Sequence, residues 1–370
     1  MKLFSRHIYS HPLLCKEGIQ GRFLTPPAPP LEKGRKCIFL FFSFLLACVV
    51  FPPPAHAMHI ADGILPMKWA AFWYLLAIPV VAVGLRTYRR ESERSLRFRP
   101  LAGLVGAAVF VVSCMPIPIP FTGTCSHPAG TGLAAILLGP WMAAVVGSIA
   151  LALQALFLAH GGLTTLGANL FSMGVVGAFT GYGVFRAGRG VGLSLFASAF
   201  LAGMISDWAT YATTSLELAL ALHGDGSVFS LFLAVLTAFV PTQLPLGIME
   251  GFVTAYALRF LSERWPDFPF AGSARIESSI ILPVALAALL VIGGIYVAEA
   301  PVGGYMGVDD KVIGKFASEA GKKPLRFLLN VEGDLGLFLF LLAGAAGGFA
   351  GGYFYRSLSI KKENKAGKDV

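Results

Sequence analysis

The sequence predicts an all-α protein whose helices cross a membrane several times. Hydrophobic residues make up 56% of the chain and charged residues only 13%, whereas a soluble domain carries about 25% charged residues. Several apolar runs reach the roughly 20 residues that a helix needs to cross a bilayer. The 43 glycines and 23 prolines agree with this class, because both residues are more frequent in membrane helices than in soluble ones.

The basic residues predict the orientation of the chain in the membrane. The net charge of +9 does not indicate nucleic-acid binding, because the basic residues cluster between apolar runs, at 86–99, 186–189, 259–264 and 361–368. An excess of Lys and Arg is typical of cytoplasmic loops. If Met58 lies outside the cell, counting the predicted spans puts these stretches inside. We therefore expect a multi-pass protein of the plasma (inner) membrane, with the mature amino terminus outside and the carboxyl terminus in the cytoplasm.

Residues 1–57 are predicted to be a signal peptide that is removed. Basic residues at 33–36 precede the apolar run 37–51, and Ala55-His56-Ala57 follows it. A basic region, an apolar core of about 7–15 residues and an A-x-A site are typical of secretory signal peptides. Cleavage after this site would make Met58 the first residue of the mature chain.

Other interpretations of this segment stay open. Residues 45–48 resemble a lipoprotein cleavage site, although the apolar run continues past Cys48 and the cut would fall inside it. Alternatively, the apolar run is an anchor that is not cleaved. The proline-rich residues 1–32 are unlike a normal start, so translation beginning further along the chain is a further alternative.

A first membrane domain of about seven helices is predicted at 58–268. Its helices are predicted at 68–85, 100–115, 130–139, 140–159, 166–185, 193–222 and 228–260. The prolines within 115–120 lack a donor N–H and exclude a regular helix there, and the polar stretch 121–128 follows. Irregular backbone at membrane depth requires protein or a water-filled cavity around it. We therefore expect this loop to line a site.

A second module is predicted at 269–370. Helices at 279–298 and 335–355 flank an external insert, 299–334, in which acidic and basic residues are nearly balanced. Within the insert, 309–320 has the apolar spacing and the stop signals of a short amphipathic helix. The last helix carries three glycines at the four-residue spacing of close helix contacts: Gly344, Gly348 and Gly352. The glycine pattern does not decide whether this helix packs against another helix of the chain or against a partner protein.

Met58 and His59 have the donor groups of a metal site once cleavage frees the amine of Met58. The amine and the peptide nitrogen of His59 close a five-membered chelate ring on a metal ion, and the peptide nitrogen and imidazole Nδ1 close a six-membered one. His127, in the proline-bounded loop, is the candidate for the fourth corner. Four nitrogens with planar tendencies suit late first-row divalent ions, Ni²⁺ and Cu²⁺ best and also Co²⁺. Without cleavage the amine is an amide, and this ligand is lost.

Four further residues are candidates to support these ligands through hydrogen bonds: Asp62, Ser126, His160 and Asn169. Asp62 can accept a hydrogen bond from an imidazole, and the run from His160 to Asn169 can brace the loop. For these residues an ordinary interhelical hydrogen bond is the alternative interpretation. The same alternative holds for other polar residues in apolar surroundings: Gln154, Asp207, Glu217, Gln243 and Glu250.

The sequence lacks the signatures of an ATPase and of common hydrolases. It contains no GxxxxGK[ST] loop, no HExxH and no GxSxG, so another chain must hydrolyse ATP if ATP drives transport. The five cysteines lack the CxxC spacing of a structural zinc site. A membrane enzyme and a metal receptor without transport stay as alternatives. Proteolytic activity of the purified protein would favour the enzyme, and cobalt uptake measured with and without ATPase partners would separate the receptor from the transporter.

Three separated motifs resemble the CbiM/NikM family, the substrate-capture subunits of energy-coupling-factor metal transporters. MHIADGILP at 58–66 is similar to the mature start of that family, and TCSHPAGTGL at 124–133, with the following GPW, is similar to its metal-loop signature. The stretch 154–174 is similar to a third motif. The resemblance covers about 58–265. Residues from about 275 onward resemble, more weakly, the two-span CbiN/NikN accessory component.

The resemblance implies a substrate-specific membrane (S) component with a planar metal site formed by Met58, His59 and His127. It implies Co²⁺ as the transported ion, because the CSHP loop and the AHGGLTT run at 159–165 resemble the cobalt branch. Ni²⁺ is the alternative, since Ala61-Asp62 departs from the usual start of that branch. The resemblance also implies partners, namely a membrane coupling (T) subunit and two cytoplasmic ATPase subunits. No cofactor is expected besides the transported ion.

Overall fold

The computed structural model describes residues 59–115, 117–119, 124–158, 160–264, 306–324 and 333–366. The predicted signal peptide, Met58 and the predicted helix at 279–298 lie outside these residues. The described part of the chain is almost entirely helical, which confirms the predicted all-α class. The bounds of the two predicted domains stay a prediction.

Nine helices follow one another along the described residues. They are α1 (Met67–Arg94), α2 (Phe98–Ser113), α3 (Thr131–Leu138), α4 (Pro140–Phe157), α5 (Leu166–Gly190), α6 (Leu195–Leu222), α7 (Val228–Arg264), α8 (Val308–Glu319) and α9 (Gly333–Ala366). A π-helical segment, Leu170–Gly177, lies inside α5. Gly139, with a φ of 87°, ends α3, and Pro140 at the first position of α4 suits a helix start.

Four of the described helices are long and apolar enough to cross a membrane: α1, α4, α5 and α7. Helix α2 is apolar but has only 16 residues. Large apolar side chains such as Leu75 and Phe229 face outward, with 70% and 67% of their surface exposed, and lipid would cover them. The chain is therefore a multi-pass membrane protein, while the count of seven helices in the first domain stays a prediction.

The arginine-rich stretch that the sequence predicted as a loop at 86–99 is mostly helical. Helix α1 continues to Arg94, and only residues 95–97 connect it to α2. Arg and Glu are good helix formers, and Glu91 pairs with Arg94 at 3.2 Å on the exposed surface. The helix therefore extends well beyond its apolar part.

The proline-bounded loop forms a short hairpin. Strand β1 (Ile117–Ile119) pairs antiparallel with β2 (Thr124–Ser126), so the prolines exclude a helix as predicted, although the strands themselves were not predicted. A third strand, β3 (Met306–Gly307), comes from the insert and pairs in parallel with β2. Because β2 runs directly into His127, the insert contacts the strand that leads to a candidate ligand.

The predicted amphipathic helix of the insert is confirmed as α8. Its buried side chains Val312, Ile313 and Ala317 join an apolar cluster that also contains Ile60 and Ile64 from the amino-terminal segment. The insert therefore packs beside both segments that carry the candidate ligands.

Among the described residues, helix α9 packs against α2 through glycines outside the predicted stripe, so the structure does not support the packing of that stripe within the chain, while its contact with a partner stays a prediction. A Cβ added at Gly347 would lie 2.5 Å from Val111 of α2, and one added at Gly351 would lie 3.8 Å from Ala107. At the predicted stripe, Gly344, Gly348 and Gly352, no described atom lies within 4 Å of an added Cβ. The stripe thus faces away from α2.

Candidate metal centre

Three histidines from distant parts of the sequence meet inside the bundle. His59 precedes α1, His127 follows β2, and His160 lies between α4 and α5. The ring centroids of the three pairs are 4.8 to 5.3 Å apart, and one ring nitrogen from each residue lies within 4.8 Å of the others. His127 and His160 are only 2% exposed. The structure thus brings two predicted ligands and one predicted supporting residue into a single shielded cluster.

Gln154 of α4 orients the ring of His59. Its Oε1 lies 3.1 Å from His59 Nε2, while its Nε2 donates to the carbonyl oxygen of Ser113 at 3.2 Å and to the hydroxyl oxygen at 2.7 Å. Because the amide nitrogen is directed at Ser113, the amide oxygen accepts a hydrogen bond from the Nε2–H of His59. Nδ1 of His59 therefore carries the lone pair, and Nδ1 is the nitrogen that the predicted chelate ring uses.

The ring of His127 is oriented by its own loop. Nδ1 of His127 lies 3.2 Å from the carbonyl oxygen of Pro128, so Nδ1 carries the hydrogen and Nε2 carries the lone pair. That Nε2 lies 3.3 Å from Nε2 of His160. His127 can therefore offer Nε2 to a metal ion, and His160 faces the same nitrogen.

Burial keeps the three imidazoles neutral. Removal from water lowers the pKa of His127 to about 4. Burial also lowers the pKa of His59 and of His160 well below the usual value, and repulsion between the neighbouring rings lowers both further. Neutral imidazole is the form that binds metals, so the cluster needs no loss of ring protons to accept an ion near pH 7.

Asn169 and Asp62 hold the amino-terminal segment in place. Asn169 accepts a hydrogen bond from the N–H of Ile60 and donates one to its carbonyl oxygen, both at 3.0 Å. The carboxylate of Asp62 accepts from the N–H groups of residues 163–164, at 3.2 and 2.7 Å. Asp62 thus bonds the loop backbone rather than an imidazole, which corrects the role suggested by the sequence.

Helices α6 and α7 support the loop that carries His127. The hydroxyl of Ser126 lies 3.1 Å from that of Tyr211 on α6, and it accepts a hydrogen bond from Gln243 on α7 at 3.0 Å. Glu250 on α7 accepts two backbone hydrogen bonds from the same loop. In the sequence, Gln154, Gln243 and Glu250 stand out only as polar residues in apolar runs. That isolation is the one signal in the sequence that could indicate their roles.

A small cavity adjoins the histidine cluster. It offers ≈ 20 Å³ to the centres of water molecules, which is room for about one or two waters. Its lining includes His59 and His127 together with polar groups of Asn169, Ser172 and Thr210. The structure therefore leaves room for water directly beside the histidine cluster.

The fold and the site together define a class of protein. The apolar helices make it a multi-pass membrane protein, and the buried neutral imidazoles form the donor set that suits late first-row transition metals. The family model for CbiM, described as the cobalt uptake substrate-specific transmembrane region, matches residues 59–268, which is more than half of the chain. The protein therefore belongs to the CbiM family, which confirms the resemblance of its motifs.

Relatives with the same family name match over most of their length. The cobalt transport protein CbiM of Geobacter sulfurreducens is 49% identical over 333 residues, which cover 86% of this chain and 95% of that protein. That of Sorangium cellulosum is 60% identical over 210 residues, covering 57% of this chain and 93% of the relative. A crystal structure of a truncated transition metal transporter aligns with a TM-score of 0.49 and 28% identity, covering 56% of this chain and 99% of the other. The Geobacter match extends beyond 59–268, so part of the sequence outside the family region is shared.

Proposed function

We propose that this chain captures Co²⁺ at the outer face of the plasma membrane for ATP-driven import by an energy-coupling-factor transporter. The cobalt transport proteins at 49% and 60% identity support the cargo. The clusters of basic residues between apolar runs support an external mature amino terminus. The sequence has no phosphate-binding loop, so we assign ATP hydrolysis to two cytoplasmic ATPase subunits and energy coupling to a membrane T subunit.

The proposed ligands are the amine of Met58, the peptide nitrogen and Nδ1 of His59, and Nε2 of His127. The observation that carries this assignment is the hydrogen bond between His59 Nε2 and Gln154, because it leaves the lone pair on Nδ1 in a ring whose centroid lies 4.9 Å from that of His127. Signal-peptide cleavage after Ala57 supplies the amine. The second module, which resembles the CbiN/NikN component, is proposed to act on the same centre through its insert, since β3 pairs with the strand that leads to His127.

Ni²⁺ is the alternative cargo. A planar set of four nitrogens suits Ni²⁺ better than Co²⁺, and the proposed site has such a set, whereas the named relatives favour Co²⁺. Competition between the two ions for the purified mature protein, followed by uptake of each ion by cells, would decide between them. Stronger binding and faster uptake of Ni²⁺ would replace Co²⁺ in the proposal.

The ligand role of the amine can be tested by adding two glycines ahead of Met58 in the mature protein, because a single added residue would place His59 third in the chain and create a new chelate of amine, two peptide nitrogens and imidazole. This change keeps every native side chain and turns the amine into an amide. We expect Co²⁺ binding, measured by titration calorimetry in detergent, to be abolished, and unchanged affinity would refute the ligand set. Met58→Ala in the mature chain is the matched control, since it keeps the free amine and should still bind. Mass spectrometry of the mature native protein should find Met58 as the first residue.

The transport role needs a separate test in cells. Uptake of labelled Co²⁺ should require this chain together with the coupling and ATPase subunits. If cells that lack only the ATPase subunits accumulate Co²⁺ equally well, energy coupling is not part of the function. Binding without any uptake in the complete system would instead indicate a receptor.

A further inference from the structure

Glu250, outside the predicted site, holds the loop that carries His127. Its Oε2 accepts a hydrogen bond from the N–H of Ala129, and its Oε1 accepts one from the N–H of Gly130, both at 2.8 Å. Pro128 has no N–H, so these are the first two backbone donors after His127. The two donors form a fork that a carboxylate matches with both of its oxygens.

The same face of α7 also anchors the loop on the other side of His127. Gln243 lies seven residues before Glu250, which places both side chains on one side of the helix, and it donates to Ser126 Oγ at 3.0 Å. His127 is thus flanked by one anchor immediately before it and another immediately after Pro128. Both anchors come from a single helix.

A buried carboxylate requires compensation of this kind. Glu250 is 1% exposed, and an isolated buried charge would be strongly destabilising. The two N–H groups precede α3, and the amino-terminal end of a helix favours a negative charge. The placement of the Glu250 carboxyl group and the geometry of the loop therefore depend on each other.

Asp207 provides a natural comparison beside Glu250. It is fully buried on α6, and neither of its carboxylate oxygens has a hydrogen-bond partner among the described residues. Its Oδ2 lies 3.1 Å from the place where a Cβ at Gly247 would be, one helical turn from Glu250. Asp207 is therefore a second buried carboxyl group in the same region that does not touch the loop.

We propose that Glu250 is a positioning residue that sets the place of His127 in the metal centre and thereby the affinity for the ion. The proposal rests on the proposed function in that the affinity concerns the transported ion. Support of this type around a metal ligand typically changes affinity by about 10–100-fold. An effect of charge alone would act at a distance, whereas a positioning effect requires both oxygens to reach both N–H groups.

Three variants of the mature protein separate these effects. Glu250→Gln keeps the shape but replaces one acceptor by a donor, and Glu250→Asp keeps the charge but is one methylene too short to reach both N–H groups. Both should lower Co²⁺ affinity by about 10–100-fold and change the visible spectrum of the bound ion. Asp207→Asn changes the charge beside Glu250 without removing a hydrogen bond to the loop, so a positioning effect predicts that this variant binds like the native protein.

Loop mobility gives a readout that needs no metal. Hydrogen exchange of peptides covering 126–138 in the apo protein should be faster in both Glu250 variants and unchanged in Asp207→Asn. The proposal is overturned if both Glu250 variants have native Co²⁺ affinity, a native spectrum and native hydrogen exchange. It is also overturned if Glu250→Asp binds with native affinity while Glu250→Gln does not, because the loss of affinity would then come from the charge and not from the positioning of the loop. If the native mature protein fails to bind Co²⁺, the proposed function fails, while the exchange measurement still decides the role of Glu250. If one variant does not fold, the other carries the test.

Discussion

Replacing Gln154 by Leu should weaken metal binding without touching a ligand. The change removes the acceptor that fixes His59 Nε2–H at 3.1 Å, so the ring can turn and Nδ1 is no longer held toward the site. Loss of such support costs about 10–100-fold in affinity, which corresponds to about 1.4–2.7 kcal/mol. The apo protein should also lose about 2–4 kcal/mol of stability, because the four hydrogen bonds of the Gln154 side chain disappear at about 1 kcal/mol or less each, and the carbonyl oxygen of Ser113 loses this donor.

Ser113→Ala is the matched control for this prediction. It removes the 2.7 Å bond between Gln154 and the Ser113 hydroxyl, but leaves the Ser113 carbonyl oxygen to orient the amide and leaves the acceptor of His59 intact. Titration calorimetry of both mature variants should therefore show a large loss of Co²⁺ affinity in Gln154→Leu and about a threefold loss or less in Ser113→Ala. Native affinity in Gln154→Leu would mean that the hydrogen bond does not present Nδ1 to the ion. An equal loss in both variants would point to general destabilisation of α4 instead.

Three further predictions concern the same centre. The stability of the apo protein should fall as the pH falls from about 6.5 to 4. Burial lowers the pKa of His127 to about 4, so the unfolded chain binds more protons than the folded one in this range. Thermal unfolding measured across the range tests this prediction, and an unfolding temperature that does not change with pH would contradict it. Gly162→Ala should lower both the unfolding temperature and the Co²⁺ affinity, because the added Cβ would overlap with the backbone nitrogen and Oδ1 of Asp62. Gly314→Ala should lower neither, because no atom of the described residues lies within 4 Å of its added Cβ. His160→Asn should lower Co²⁺ affinity by about tenfold, and native affinity would limit this residue to packing.

The parts of the site that sequence reasoning located are those defined by local chemistry. A cleavage site directly before Met58 and His59 predicts an amine beside an imidazole, and this amine stays a prediction because Met58 lies outside the described residues. The prolines around His127 predict an irregular loop that lines a site. Gln154 could not be assigned in the same way, since its partner His59 is 95 residues away. A glutamine in an apolar helix has the same sequence context whether it bonds a neighbouring helix or orients a metal ligand.

The contacts between the insert and the membrane helices could not be predicted from the sequence either. The pattern at 309–320 predicted an amphipathic helix, because its apolar residues recur with helical spacing. The pattern does not say which surface the apolar face will cover. Pairing of β3 with β2 was also unpredictable, since strands of two and three residues carry almost no periodic signal.

The two imidazoles that we propose as ligands, those of His59 and His127, are supported by different sets of helices. His59 is oriented by Gln154 of α4, while the segment that it begins is tied to Asn169 of α5. The loop of His127 is tied to α6 and α7 instead, with Glu250 as its strongest anchor. An ion bound to both rings therefore bridges α4–α5 and α6–α7 through bonds of about 2 Å, and a displacement of one pair against the other acts directly on those bonds. At a free Co²⁺ concentration of 100 times Kd, the bridge should stabilise the folded state by about 2.7 kcal/mol, and the same coupling means that a partner which moves α6 and α7 lowers the affinity for the ion.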